Sequence, residues 1–250
     1  MKILALDSSG LVASAAVAED DILVAEFTMN YKKTHSQTLL PMLEQIQKMT
    51  DLDLQTVDAI AVAAGPGSFT GLRIGSATAK GLGFALKKPI VAVPTVDALA
   101  YVLYGCGQLV CPIMDARRGQ VYTGIYEFVR KEVKEPQELR LGQAFEMKVL
   151  KEQCAVSIEE LAEALNRLGR EVMFLGDGIP VFEGKLAEIM QVPYSFAPAH
   201  MNRQRAAAVA ALAESYYRQG KVQTAEEHAP EYLRLSQAER ERMEAEQAKA

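Results

Sequence analysis

Ala63-Ala64-Gly65-Pro66-Gly67-Ser68-Phe69-Thr70-Gly71-Leu72-Arg73-Ile74-Gly75 is the stretch from which the fold is read. The apolar run Asp58–Ala63 before it predicts a strand, and Gly71–Leu86 after it predicts a helix. Gly65, Gly67 and Gly71 permit tight or left-handed backbone, and Ser68 or Thr70 can cap the helix. A strand-to-helix turn of this kind presents amides and a helix N-terminus, which suit an anion. Three familiar chemistries fail on the residues. A Walker A loop needs Gly-Lys-Ser/Thr, which does not follow, and the glycine spacing is not that of a dinucleotide fingerprint. A nucleophile elbow needs a central serine, whereas the centre of Gly67–Gly71 is Phe69. A structural turn and a ligand or partner site both remain open.

Working outward, Ile3–Leu6, Val12–Ala18 and Ile22–Thr28 read as three strands, the last two around Glu19-Asp20-Asp21. Thr34 or Ser36 can cap a helix running to about Met49, with Leu39, Met42, Leu43 and Ile46 at helical spacing. Pro41 is expected near its first turn, where few amides have helical partners. Ile90–Val93 is a further strand. The order β-β-β-α-β-α-β predicts an antiparallel start followed by crossovers to parallel strands. Further on, Thr95–Tyr104 reads as a helix, and Leu109–Met114 and Gln120–Val129 as strands around Arg117-Arg118-Gly119. Ser157 and Glu160 form a capping box for Ser157–Leu168, which stops at Gly169. Val172–Leu175 is a strand ending in Gly176-Asp177-Gly178, and Arg205–Arg218 is an Ala-rich helix. The two parts look like cousins, so the chain is read as a duplicated two-lobed fold. Its divisions are residues 1–100, residues 101–235 with the 205–218 helix able to pack back on the first lobe, and a polar tail at 236–250.

Composition narrows the function. The chain has 250 residues and a formal net charge of -5, so it does not as a whole offer the Lys/Arg-rich face that grips nucleic acid. Any nucleic-acid contact would come mostly from another protein. No apolar run reaches the ~18–20 residues that span a bilayer, and none resembles a signal peptide. The three cysteines, Cys106, Cys111 and Cys154, read as reduced thiols of a cytoplasmic protein. The three histidines, His35, His200 and His228, form no H-x-x-x-H pair, so no metal is expected.

Two polar loops can meet a phosphate or a Mg²⁺ shell in folds that bind ATP between lobes. They are Asp7-Ser8-Ser9-Gly10 and Asp115-Ala116-Arg117-Arg118-Gly119-Gln120; either can equally be a plain hairpin turn. The weak nucleotide candidates are thus Asp7, Ser8, Gly65, Gly67 and Asp115. A partner surface is read from two helices. The first carries Leu39, Leu40, Met42, Leu43, Ile46 and Met49, more apolar residues than one buried stripe needs. The second shows Gly71, Gly75, Ala79 and Gly83 at four-residue spacing. Glycines inside a helix cost ~1 kcal/mol each against alanine, so another backbone must come close: the chain's own sheet or a partner helix.

GPGSFTGLRIG closely resembles the signature of the TsaB family, also called YeaZ. Leu4–Ser9, His35–Pro41, Pro112–Tyr122, Gly176–Gly178 and Ala229–Arg234 resemble its further landmarks, so the likeness spans about residues 1–235 in order. The resemblance implies an α/β fold, a two-lobed ribonuclease H-like duplication of the acetate kinase/sugar kinase/Hsp70/actin type. It implies a non-catalytic subunit that partners a TsaD-like paralogue and a TsaE-like ATPase in threonylcarbamoylation of tRNA. That role includes no cofactor of its own, tRNA met through the complex, and a homodimer when alone. An active phosphotransferase with Asp7 and Asp115 on the Mg²⁺ side, and a peptidase, are the alternatives.

Overall fold

The computed structural model describes residues 1–132 and 143–234. The polar tail at 236–250 lies outside the described residues. β1 (Lys2–Asp7), β2 (Ala13–Glu19) and β3 (Ile22–Met29) form an antiparallel meander. β4 (Ala59–Gly65) pairs parallel with β1, and β5 (Ile90–Pro94) with β4. The order is β3-β2-β1-β4-β5. A second sheet repeats it with β6 (Leu109–Asp115), β7 (Gln120–Arg130), β8 (Phe145–Ser157), β9 (Val172–Leu175) and β10 (Tyr194–Phe196). Its order is β8-β7-β6-β9-β10, with the same antiparallel and parallel pairs. The duplication is therefore topological: two ribonuclease H-like lobes of one design.

Strand periodicity divides the first lobe's core. Leu4 and Leu6 face α1 (His35–Thr50) and α2 (Phe69–Leu86), while Ile3 and Ala5 face the other side. In the second lobe Leu109, Cys111 and Ile113 pack on α4 (Ile158–Leu168) and α5 (Ile179–Ile189). The remaining helices cross over. α6 (Ala206–Arg218) follows the second sheet, yet its Ala206, Val209, Ala210 and Ala213 pack on the small residues Ala5, Ala16, Ala59 and Ala61 of the first. α3 (Thr95–Tyr101) follows the first sheet, yet Val96, Leu99 and Ala100 pack with Val110, Met114 and Tyr126 of the second. Buried Asp97 ties the exchange, accepting from Tyr126 Oη at 2.7 Å and Tyr216 Oη at 3.2 Å.

Helix ends follow the sequence chemistry. Ser68 Oγ accepts from Gly71 N and Ser157 Oγ from Glu160 N, and Gly169 closes α4 in the left-handed region at φ 64°. α1 departs from expectation. Thr34 holds its N-cap position without a side-chain capping bond, and Pro41 lies well inside the helix rather than in its first turn. Pro41 is solvent-exposed, so water can satisfy the carbonyl that loses its helical donor. No helix of the described residues is long and apolar enough to cross a membrane.

Candidate functional site

The lobes face one another across a cleft of about 880 Å³. The glycine turn between β4 and α2 forms part of its floor, and the chain's own backbone closes on that turn. Ser68 N donates to Ser9 O at 2.7 Å and Gly65 N to Thr95 Oγ1 at 3.1 Å. Gly65 has φ 129°, and a Cβ there would sit 2.1 Å from Glu231 O. A Cβ at Gly71 would sit 2.1 Å from Ser8 O. Glycine is required here by these close approaches, and two of the turn's amides already have partners within the protein.

The five nucleotide candidates separate accordingly. Gly67 and Asp115 line the cleft; Asp7, Ser8 and Gly65 lie beneath it. Ser8 Oγ donates to Gly71 O at 2.8 Å, joining the first loop to α2. Asp7 accepts from Ser9 N at 2.9 Å and Ser9 Oγ at 2.7 Å. Burial raises its carboxyl above the ordinary range and outweighs the Ser9 bonds that pull it down. Asp115 pairs with Arg117 at 3.1 Å, and its amide donates to Asp177. Burial likewise raises Asp177.

The Asp7 shift fixes a pH dependence. A carboxyl with a raised folded pKa supports the fold fully below its unfolded pKa, and that support is lost as pH rises through the folded value. Asp7→Asn keeps an acceptor for Ser9 but cannot ionise. Its stability relative to wild type is expected to improve as pH climbs from about 4 towards neutrality. Urea unfolding of both proteins across that range measures it; a flat or opposite trend contradicts the assignment.

A strap that the sequence does not announce crosses the cleft mouth. His228, buried, bonds Ser76 and Gln223 at 3.0 Å each, and Lys80 Nζ donates to His228 O at 2.8 Å. Burial holds the His228 imidazole below its ordinary pKa, with Lys80 adding to the effect. Glu231 N donates to Ala64 O, Tyr232 stacks on Phe69 at 4.6 Å, and Arg234 reaches Ala116 O on the β6–β7 hairpin. The segment therefore links α2 and β4 of one lobe to the hairpin of the other. Its only sequence signal is Ala229–Arg234, a family landmark that carries no role by itself.

The expected partner surface needs correction. Ala79 is fully buried in the first lobe's core. A Cβ at Gly75 would sit 2.5 Å from Ser8 Oγ, and one at Gly83 would sit 3.1 Å from Ala225 Cβ. The ridge of Gly71, Gly75, Ala79 and Gly83 thus packs on its own lobe, because β1 and its following loop need that close approach. Leu39, Met42, Leu43 and Ile46 are buried in the same core. Leu40 points outward, 54% exposed.

Among the described residues, no group of three or more His, Cys, Asp or Glu is arranged to hold a metal ion. Cys106, Cys111 and Cys154 are free thiols. Burial pushes Cys111 up to about 12, which leaves it a protonated, poor nucleophile at neutral pH.

Paired sheets of identical order around a central cleft define a two-lobed α/β protein with duplicated ribonuclease H-like lobes. A family model described as "TsaD: tRNA N6-adenosine threonylcarbamoyltransferase" matches residues 23–242. The tRNA threonylcarbamoyladenosine biosynthesis protein TsaB of Bacillus subtilis is 32% identical over 244 residues, 96% of each chain. The TsaB protein of Haemophilus influenzae is 30% identical over 178 residues, 70% of each. The solved structure of YeaZ from Pseudomonas aeruginosa superposes with a TM-score of 0.74 at 28% identity, covering 93% of this chain and 99% of that one. The chain belongs to the TsaB family, the YeaZ-like branch of the TsaD-type fold.

Proposed function

We propose that this chain is a non-catalytic partner subunit in tRNA threonylcarbamoyladenosine biosynthesis, acting in the cytoplasm. It docks a TsaD-like transferase and works with a TsaE-like ATPase, while the transferase carries the chemistry and most of the tRNA contact. The single observation that carries this reading is the occupied glycine turn: Ser9, Thr95 and Glu231 press on the turn where the fold would admit a nucleotide. The names of the TsaB relatives support the pathway.

The docking surface is the outward side of the two helices whose inward sides fill the core. Leu40 and Met49 on α1 are 54% and 79% exposed, and Phe84 on α2 is 60% exposed. Ala77 and Gly81 lie on the same outward stripe of α2, and a Cβ at Gly81 would meet nothing within 4 Å. Apolar residues flanking small ones let a partner helix approach closely. The same surface pairs two copies of this chain when the transferase is absent.

A phosphotransferase of the same fold is the alternative, and it requires tight nucleotide binding by this chain alone. Calorimetry of the isolated protein with Mg-ATP is expected to give weak binding or none. A micromolar dissociation constant overturns the non-catalytic reading.

A further inference from the structure

We infer that the mouth of the interlobe cleft holds single-stranded RNA, its rim cations on phosphates and an exposed tyrosine stacked on a base. The inference deepens the proposed role in tRNA modification and rests on it for the choice of RNA. The charge distribution comes first. The chain is acidic overall, at -5, yet Lys32, Lys33, Arg117, Arg203 and Arg234 line this one cleft against Asp115, Asp177 and Glu231. Arg203 is held on the carbonyls of Gly176 and Asn202, and Arg117 pairs with Asp115. Lys32 and Lys33 are exposed, and neither has an ion-pair partner among the described residues. Uncompensated lysines contribute chiefly through release of counterions from a polyanion.

The hairpin opposite adds a second observation. Arg117 and Arg118 both adopt left-handed backbone, at φ 65° and 55°, before Gly119 at 72°. Tight hairpins favour glycine, asparagine or aspartate at such positions, because a Cβ is disfavoured there. Two arginines are poor turn formers, so their identity serves something other than the turn. Strain of this kind concentrates at functional sites. Arg118 is exposed, at the tip beside the cleft-lining Arg117.

Aromatic rings stand among these cations. Tyr31, next to Lys32 in the cleft wall, is 69% exposed. Tyr232, on the strap, stacks on Phe69, whose ring also lies under Arg73 with the guanidinium carbon 4.1 Å from the centroid. Cations interleaved with exposed aromatic rings suit a single strand, where a ring takes a base and the cations track the backbone. A lone mononucleotide fits less well. Lys32-Lys33 belongs to the first lobe and Arg117-Arg118 to the second, so the cations flank the cleft instead of converging on the helix end. Some amides of the glycine turn are also already engaged.

The test uses the assembled complex of this chain with its transferase partner and a labelled tRNA anticodon stem-loop, titrated at several salt concentrations. The combined variant Lys32→Glu/Lys33→Glu/Arg118→Glu changes only exposed side chains, and a thermal melt checks its fold. It is expected to bind RNA at least tenfold more weakly. Its log–log salt slope should be shallower by about 2, near 0.7 for each phosphate of a single strand that the protein no longer neutralises. Tyr31→Ala should weaken binding severalfold without altering that slope. Unchanged affinity and slope in a folded, assembled triple variant overturns the inference and leaves the subunit role standing. So does equal loss of binding to free AMP, which would make the site a mononucleotide pocket. If the wild-type chain fails to assemble with the transferase, the proposed function falls, and the same titration on the isolated chain decides the RNA contact.

Discussion

Arginine in place of Ala79 is expected to prevent folding. Ala79 sits on the inward ridge of α2 with no solvent exposure, in the cluster that includes Leu6, Ile60 and Val62. The neighbouring glycines already bring that helix against Ser8 and Ala225, so the space for a long side chain is gone. An unpaired buried guanidinium would add a desolvation penalty of several kcal/mol. Domain stability is only about 5–15 kcal/mol, so the two effects together consume most of it. The variant should be insoluble or lack a cooperative thermal transition by circular dichroism. A soluble Ala79→Arg protein melting within a few degrees of wild type would place the ridge on the surface.

The outward side of the same helices should behave oppositely. Leu40→Glu with Phe84→Glu places two carboxylates at positions that are 54% and 60% exposed. Surface substitutions of this kind change stability by about 0.5 kcal/mol or less each, so the fold should survive. Across an apolar helix contact, both charges would be buried without partners. Affinity for the TsaD-like protein is expected to fall at least 100-fold, and any homodimer should dissociate to monomer. Surface plasmon resonance and sedimentation read the two effects. A folded double variant with wild-type affinity would move the interface elsewhere.

This contrast shows what the sequence could and could not convey. Small residues at four-residue spacing say that some backbone comes close to α2, but not whose. Ser8 is separated from that helix by more than sixty residues, so only the folded chain could identify it as the neighbour. The first sheet was legible because β1 and β4 are buried on both faces and read as plain apolar runs. β8 was not. It is an edge strand whose alternation over Phe145–Val149 ends at Leu150, which its pairing with β7 skips, and the charged Lys151 and Glu152 follow. α5 was hidden by Pro180 and Gly184, which read as breakers. Pro180 stands in the first turn, where its missing amide has no helical partner to lose, and Gly184 has open space around it. The strap has no periodicity at all, since its partners are scattered carbonyls, single side chains and one ring.

Of the site itself, the glycine turn and both polar loops were legible as places; the protein atoms that pack against the turn and the first loop were not. Gly10 illustrates why. A Cβ there would lie 2.5 Å from Nε2 of Gln204, a residue almost two hundred positions away. Lys32 and Lys33 give only a weak signal, a basic pair after Tyr31 in an acidic chain.

Reconstituted threonylcarbamoylation of tRNA tests the subunit role most directly. The assay combines the TsaD-like and TsaE-like proteins of the same organism, ATP, the threonylcarbamoyl donor and tRNA, with and without this chain. Modified adenosine should form only when this chain is present. The Leu40→Glu/Phe84→Glu variant should not replace it, whereas Asp7→Asn should. Full modification in its absence, or modification by this chain with the transferase omitted, would contradict a non-catalytic partner subunit.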